Sequence, residues 1–175
     1  MTKTAVKEKE STTQSKNLMF IQKVKVNNDN TATIVYKTSN DLSAQEVNFT
    51  GKDQITEDFA KAFQKTVSGF INCIPKLASE TSNITMNVIR FDYGKCDFLE
   101  RALYSIKYNF NDQNNAVINI STPLLPIYKE GYENTFCISG KDEEDLHEVI
   151  KKAKAYIHGE TRTKQMKLVV DNTEN

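Results

Sequence analysis

Tryptophan is absent from this chain, histidine occurs twice, and cysteine and proline occur three times each among 175 residues. Each shortage removes a class of chemistry. The three thiols, Cys73, Cys96 and Cys137, are odd in number and widely spaced, with no CxxC pair and only His147 and His158 to assist them. That pattern argues against a zinc site and fits a reducing cytoplasm. Net charge is also missing: Lys plus Arg and Asp plus Glu both total 23, so the whole-chain field selects neither a polyanion nor a basic partner. No apolar run approaches the length needed to cross a bilayer, and the polar N-terminus lacks the apolar segment of a signal peptide, so a cytoplasmic protein without membrane contact is expected. The catalytic signatures G-x-G-x-x-G, G-x-S-x-G and H-E-x-x-H do not occur.

What is present is charge, polarity and two distinct hydrophobic periods. Met1 to Asn17 offers almost nothing to bury and holds Lys3, Lys7, Lys9 and Lys16 against Glu8 and Glu10. It reads as a flexible basic arm, because ordering it would cost entropy with no apolar return. From Leu18 to Val26 the chain alternates, with Leu18, Phe20, Val24 and Val26 on one side and Lys23 and Lys25 on the other, which predicts a strand. The turn-forming run Asn27-Asn28-Asp29-Asn30 leads to a second strand, Thr31 to Thr38, and so to a hairpin. A short third strand is expected near Gln45 to Phe49.

Between Thr56 and Ile74 the period lengthens to that of a helix. Ile55, Phe59, Phe63, Val67, Phe70, Ile71 and Ile74 form one stripe, Thr56 with Glu57 and Asp58 marks the start, and Pro75 limits the end. Strands follow near Ile84 to Phe91, Leu99 to Phe110 and Ala116 to Ser121, with a further one near Tyr132 to Ile138. A second helix is expected from Asp142 to His158, acidic at its start, basic later and closed by Gly159. The expected fold is α+β: an antiparallel sheet of about six strands, with two amphipathic helices on one face. The expected domain spans residues 18–159, followed by a polar tail, 160–175, whose Met166 to Val170 segment reads as a docked strand or a frayed end.

The segments Phe49-Thr50-Gly51-Lys52-Asp53 and Ile138-Ser139-Gly140-Lys141-Asp142 echo each other at the end of a strand and the start of a helix. Two readings fit: a βββα duplication, or a glycine turn and an aspartate cap used twice. Neither Gly-Lys pair has the partner glycine and following Ser/Thr of a phosphate loop. The acidic pairs at Glu57-Asp58 and Asp142 to Asp145 sit where carboxylates stabilise helix starts, and both histidines fall on a charged helix. No catalytic residue, metal or cofactor is therefore expected.

One constellation remains. The polar side of the expected strands presents Lys23, Lys25, Lys37, Arg101 and Lys107, among Thr, Ser and Asn, with Glu46 as its one evident acid. Residues 18–159 as a whole hold 16 basic and 18 acidic side chains, so the cations are concentrated on one face. Solvation of an exposed sheet explains such a face. So does binding of single-stranded nucleic acid, by phosphate contacts and by stacking on nearby aromatics. A different class of partner, a host protein or a small signalling molecule, is the alternative. A sheet edge or the Met166 to Val170 segment offers a contact for a second copy.

The sequence FTGKDQITEDF, Phe49 to Phe59, together with Tyr156-Ile157-His158-Gly159-Glu160, resembles uncharacterised small phage and prophage proteins. That resemblance implies a mobile-element origin and an accessory role, and supplies no active site. Two strand-rich units each closed by a helix are similar in arrangement to Whirly and purine-rich-element-binding proteins, which implies single-strand binding by analogy of fold, with the first unit here one strand short.

Overall fold

The computed structural model describes residues 18–94, 97–110, 116–128 and 137–162. The basic arm, Cys96, the Tyr132 to Phe136 part of an expected strand and the Met166 to Val170 segment lie outside them. The elements in chain order are β1 (Phe20–Val26), β2 (Ala32–Lys37), β3 (Glu46–Thr50), α1 (Glu57–Lys65), α2 (Val67–Cys73), a 3-10 stretch (Pro75–Asn83), β4 (Ile84–Tyr93), β5 (Leu99–Asn109), β6 (Val117–Ser121), β7 (Leu125–Pro126) and α3 (Lys141–Ile157). The fold is α+β, as the two hydrophobic periods predict.

The strands form one antiparallel sheet in the order β3-β2-β1-β4-β5-β6, with the two-residue β7 also paired to β5. This order is symmetric about the central β1–β4 pair. Each half is a three-strand meander that runs from the centre to an edge and is then followed by helix. The two Gly-Lys-Asp segments nevertheless do different work. Gly140 has φ of 55° and precedes α3 directly, a left-handed conformation that favours glycine. Gly51 instead lies where an added Cβ would collide with the Tyr156 ring.

The aspartates of these segments are not the helix caps. Thr56 caps α1, its Oγ1 accepting the Phe59 N–H at 3.1 Å. Asp142 accepts from Ser68 Oγ (3.0 Å) and Asn72 Nδ2 (2.7 Å), tying α3 to α2. The single helix expected from Thr56 to Ile74 is divided at Thr66, whose hydroxyl donates to the Phe63 carbonyl at 2.6 Å. Such back-bonding competes with regular helical pairing. Of the predicted stripe, Ile55, Phe59, Phe63, Val67 and Phe70 are buried, and Ile71 and Ile74 are partly so.

Cross-strand register defines the two faces of the sheet. Ile34, Val24, Ile89 and Tyr104 stand opposite one another across β2, β1, β4 and β5. They belong to the same core cluster as Phe59 and Phe70 of the first helices and Leu146 and Val149 of α3. The alternation read for β1 fails at its start, because the register shifts between Ile21 and Lys23. This bulge brings Ile21 into the core beside Val24 and leaves Phe20 packed edge-on to Tyr93, ring centroids 5.3 Å apart.

Cys73 on α2 donates to the Gly69 carbonyl at 3.0 Å. Burial, aided by the Asp142 carboxylate, pushes its thiol up to about 11 from 9.0. The thiolate population at pH 8 is then about a hundredfold below that of an ordinary thiol. Peptide-resolved alkylation at pH 8 is expected to label Cys73 far more slowly in the folded protein than in urea; equal rates would show that the site is open. Because the unfolded chain releases this proton first, stability falls as pH rises from about 9 toward 11.

Candidate nucleic-acid interface

The second face of the sheet is built by the residues that alternate with the core. One row across it reads Asn48, Val35, Lys23, Arg90, Leu103, and the next reads Thr50, Thr33, Lys25, Val88, Ser105, Ser121. On one side of these lie Glu46, Lys37, Asp92 and Arg101, and on the other Thr85, Lys107 and Asn119. All five cations singled out in the sequence fall in these positions, but they are not equivalent.

Lys23 and Lys25 are successive outward residues of β1, so roughly 7 Å of strand separates them. Lys107 continues the line on β5, its Nζ donating to Asn28 Oδ1 at 2.9 Å. Among the described residues none of the three has a carboxylate within ion-pair distance. Lys37 stands directly opposite Glu46, and Arg101 is ion-paired to Asp92. Arg101 is thus locally balanced, and Lys37 has an acid across the strand pair without an ion pair to it. The acid Asp92 adds to Glu46 on this face, a consequence of β4–β5 register that the separate strands do not reveal.

The sequence reading missed Arg90. It stands opposite Lys23, is exposed, and has no ion-pair partner among the described residues. Its signal was available in the alternation Ile89-Arg90-Phe91 within an expected strand. Lys23 and Arg90 together border a groove of about 550 Å³ whose other walls include Val35, Leu103, Leu124 and the rim acid Glu46. Leu124 reaches the groove because the chain steps out between β6 and β7 before rejoining β5 at Leu125.

Among the described residues the strand tyrosines do not form the expected aromatic platform on this face, and Phe91, a core residue, is the one aromatic that borders the groove. Tyr36, Tyr104 and Tyr108 lie in register with Ile21, Ile89 and Ile84 of the core, and burial pushes the Tyr104 phenol upward in pKa. The basic face carries an aliphatic floor instead. Elsewhere, His147 Nε2 lies 3.8 Å from Glu143 on the exposed side of α3, and no three His, Cys, Asp or Glu side chains among the described residues converge to hold a metal ion. No helix among them is long and apolar enough to cross a membrane. Neither protein-family models, nor curated proteins, nor solved structures provide a match to this chain.

Proposed function

We propose that this domain is a non-enzymatic binding module for single-stranded nucleic acid, holding the phosphate backbone along Lys23, Arg90, Lys25 and Lys107. The observation that carries this reading is the Lys23–Arg90 pair. Like charges directly opposite on neighbouring strands destabilise a sheet, and here no carboxylate among the described residues, the rim acid Glu46 included, lies within ion-pair distance of either. A local rule broken without structural compensation is what a binding function produces. Phosphates supply the missing counter-charge. The aliphatic floor of Val35, Leu103 and Leu124 suits unpaired bases, whose faces a duplex hides. Lys37 and Arg101, already beside acids, contribute less, and the basic arm adds attraction without specificity.

The test is fluorescence anisotropy of labelled single-stranded and duplex oligonucleotides at low and moderate salt. Single strands are expected to bind more tightly, with affinity falling steeply as salt rises because bound counterions are released. Absence of binding to either at about 100 μM protein, the weak end of nonspecific affinity, would end this reading.

A further inference from the structure

A second concavity of about 380 Å³ opens on the same face, lined by Lys25, Asn27, Asn28, Asn87, Lys107 and Asn119. Four amides and two cations with no acid is an unusual lining for a surface that merely needs water. We infer that it is a subsite for one nucleotide unit, with the base edge against Asn87 and Asn119 and the adjoining phosphate on Lys25 and Lys107. This deepens the single-strand reading and rests on it.

The backbone of β4 is shaped to present Asn87. Register passes from Met86 opposite Ile106 to Val88 opposite Ser105, so Asn87 is the extra residue of a bulge. Bulges re-aim side chains and are enriched beside functional sites. Asn87 Nδ2 donates to Asn119 Oδ1 at 3.2 Å, which couples the two amides. Asn87 Oδ1 is buried and has no partner among the described residues, and a buried acceptor left unpaired is costly enough to call for a donor. Asn119 accepts in the bond from Asn87, and its own Nδ2 donates to no partner among the described residues. The exposed Asn119 amide carries an acceptor and a donor on one group, the pattern with which asparagine reads adenine N6 and N7.

The phosphate half of the site uses the two lysines. Lys107 spends one proton on Asn28 Oδ1 and retains two donors, while Lys25 lies across Val88 and Ser105 from it. A strand leaving this subsite along β1 meets Lys23 and Arg90 next. The amide pocket and the larger groove therefore form one track.

The experiment compares the full-length protein, Asn87→Ala and Asn119→Ala for binding to an oligonucleotide and to the same strand with abasic residues, and adds a free mononucleotide as competitor. Thermal melts check each variant's fold; Asn119 is exposed, so its removal leaves a test even where Asn87→Ala unfolds. The native protein is expected to bind the base-bearing strand about tenfold more tightly than the abasic one, near the low end of a bidentate base contact, and the variants to lose that preference. Equal native affinity for both strands overturns the subsite and leaves the backbone reading intact. A preference that survives in both variants assigns base contact elsewhere and also overturns it. Asn-dependent binding of the mononucleotide without binding of either strand supports the pocket as a nucleotide site and overturns the single-strand reading. No binding of any probe overturns both.

Discussion

Replacing Tyr156 with alanine is expected to lower the unfolding free energy by about 3–5 kcal/mol, the range for deleting a large ring from a packed interior. Tyr156 is 2% exposed and joins three parts of the fold. Its ring meets Phe49 of β3 and Phe59 of α1 edge-on, centroids 5.9 Å away in both cases. Its hydroxyl accepts the Ala32 N–H of β2 at 3.3 Å and donates to the Asp53 carbonyl. Tyr156→Phe keeps the ring but strands both backbone groups, for a loss of about 1–3 kcal/mol. Gly51→Ala attacks the same point from the other side, since the new Cβ would lie 2.0 Å from the hydroxyl, and the rings behind Tyr156 block its retreat. Urea denaturation checks all three variants. A Tyr156→Ala protein within 1 kcal/mol of the parent in stability would show that α3 is not anchored in this way.

The helix that carries Tyr156 illustrates what a sequence exposes and what it conceals. Leu146, Val149, Ile150, Ala153 and Tyr156 recur at helical spacing, and all are buried, because amphipathic periodicity is a local consequence of packing against one surface. The contact between Tyr156 and Gly51 joins positions 105 residues apart, and no local pattern encodes it. Gly51-Lys52-Asp53 looks like a capping sequence when read locally; its glycine is explained by the ring that occupies the space of a side chain.

The strands show the same division. Alternation finds β1, β2, β4 and β5 to within two residues at each end, but bulges at Gln22 and Asn87 shift which side chains share a face. For that reason alternation finds the buried Phe20 but leaves out Ile21, which the bulge turns into the core. β7 was missed because prolines at 123 and 126 read as irregular chain; Pro126 is tolerated at the sheet margin, where a missing N–H breaks no interior ladder. At the site, Lys23, Lys25 and Lys107 were legible from alternation alone. The neutralisation of Arg101 by Asp92 required the β4–β5 register, and the opposition of Arg90 to Lys23 required knowing that β1 and β4, separated by three helical segments, are neighbours.

That opposition gives the test with the largest expected effect on binding. Converting Lys23 and Arg90 together to glutamine removes the two phosphate contacts proposed for them, so the salt dependence of single-strand affinity is expected to become shallower by about 1.4 in log–log slope, at 0.7 per contact. Affinity at moderate salt should fall by about tenfold or more. Stability should move the other way, rising by about 0.2–1 kcal/mol as the cross-strand repulsion disappears. Opposite movement of binding and stability separates loss of a ligand contact from loss of fold, which lowers both. Lys37→Gln with Arg101→Gln serves as the matched control: it removes the same number of cations from the same face, but ones that stand directly opposite the acids Glu46 and Asp92, and is expected to change the slope by less than half as much. Equal slopes for the two double variants would mean that the face acts as a diffuse field and that Lys23 and Arg90 form no site. A Lys23–Arg90 variant that binds like the parent would remove the groove from the binding surface altogether.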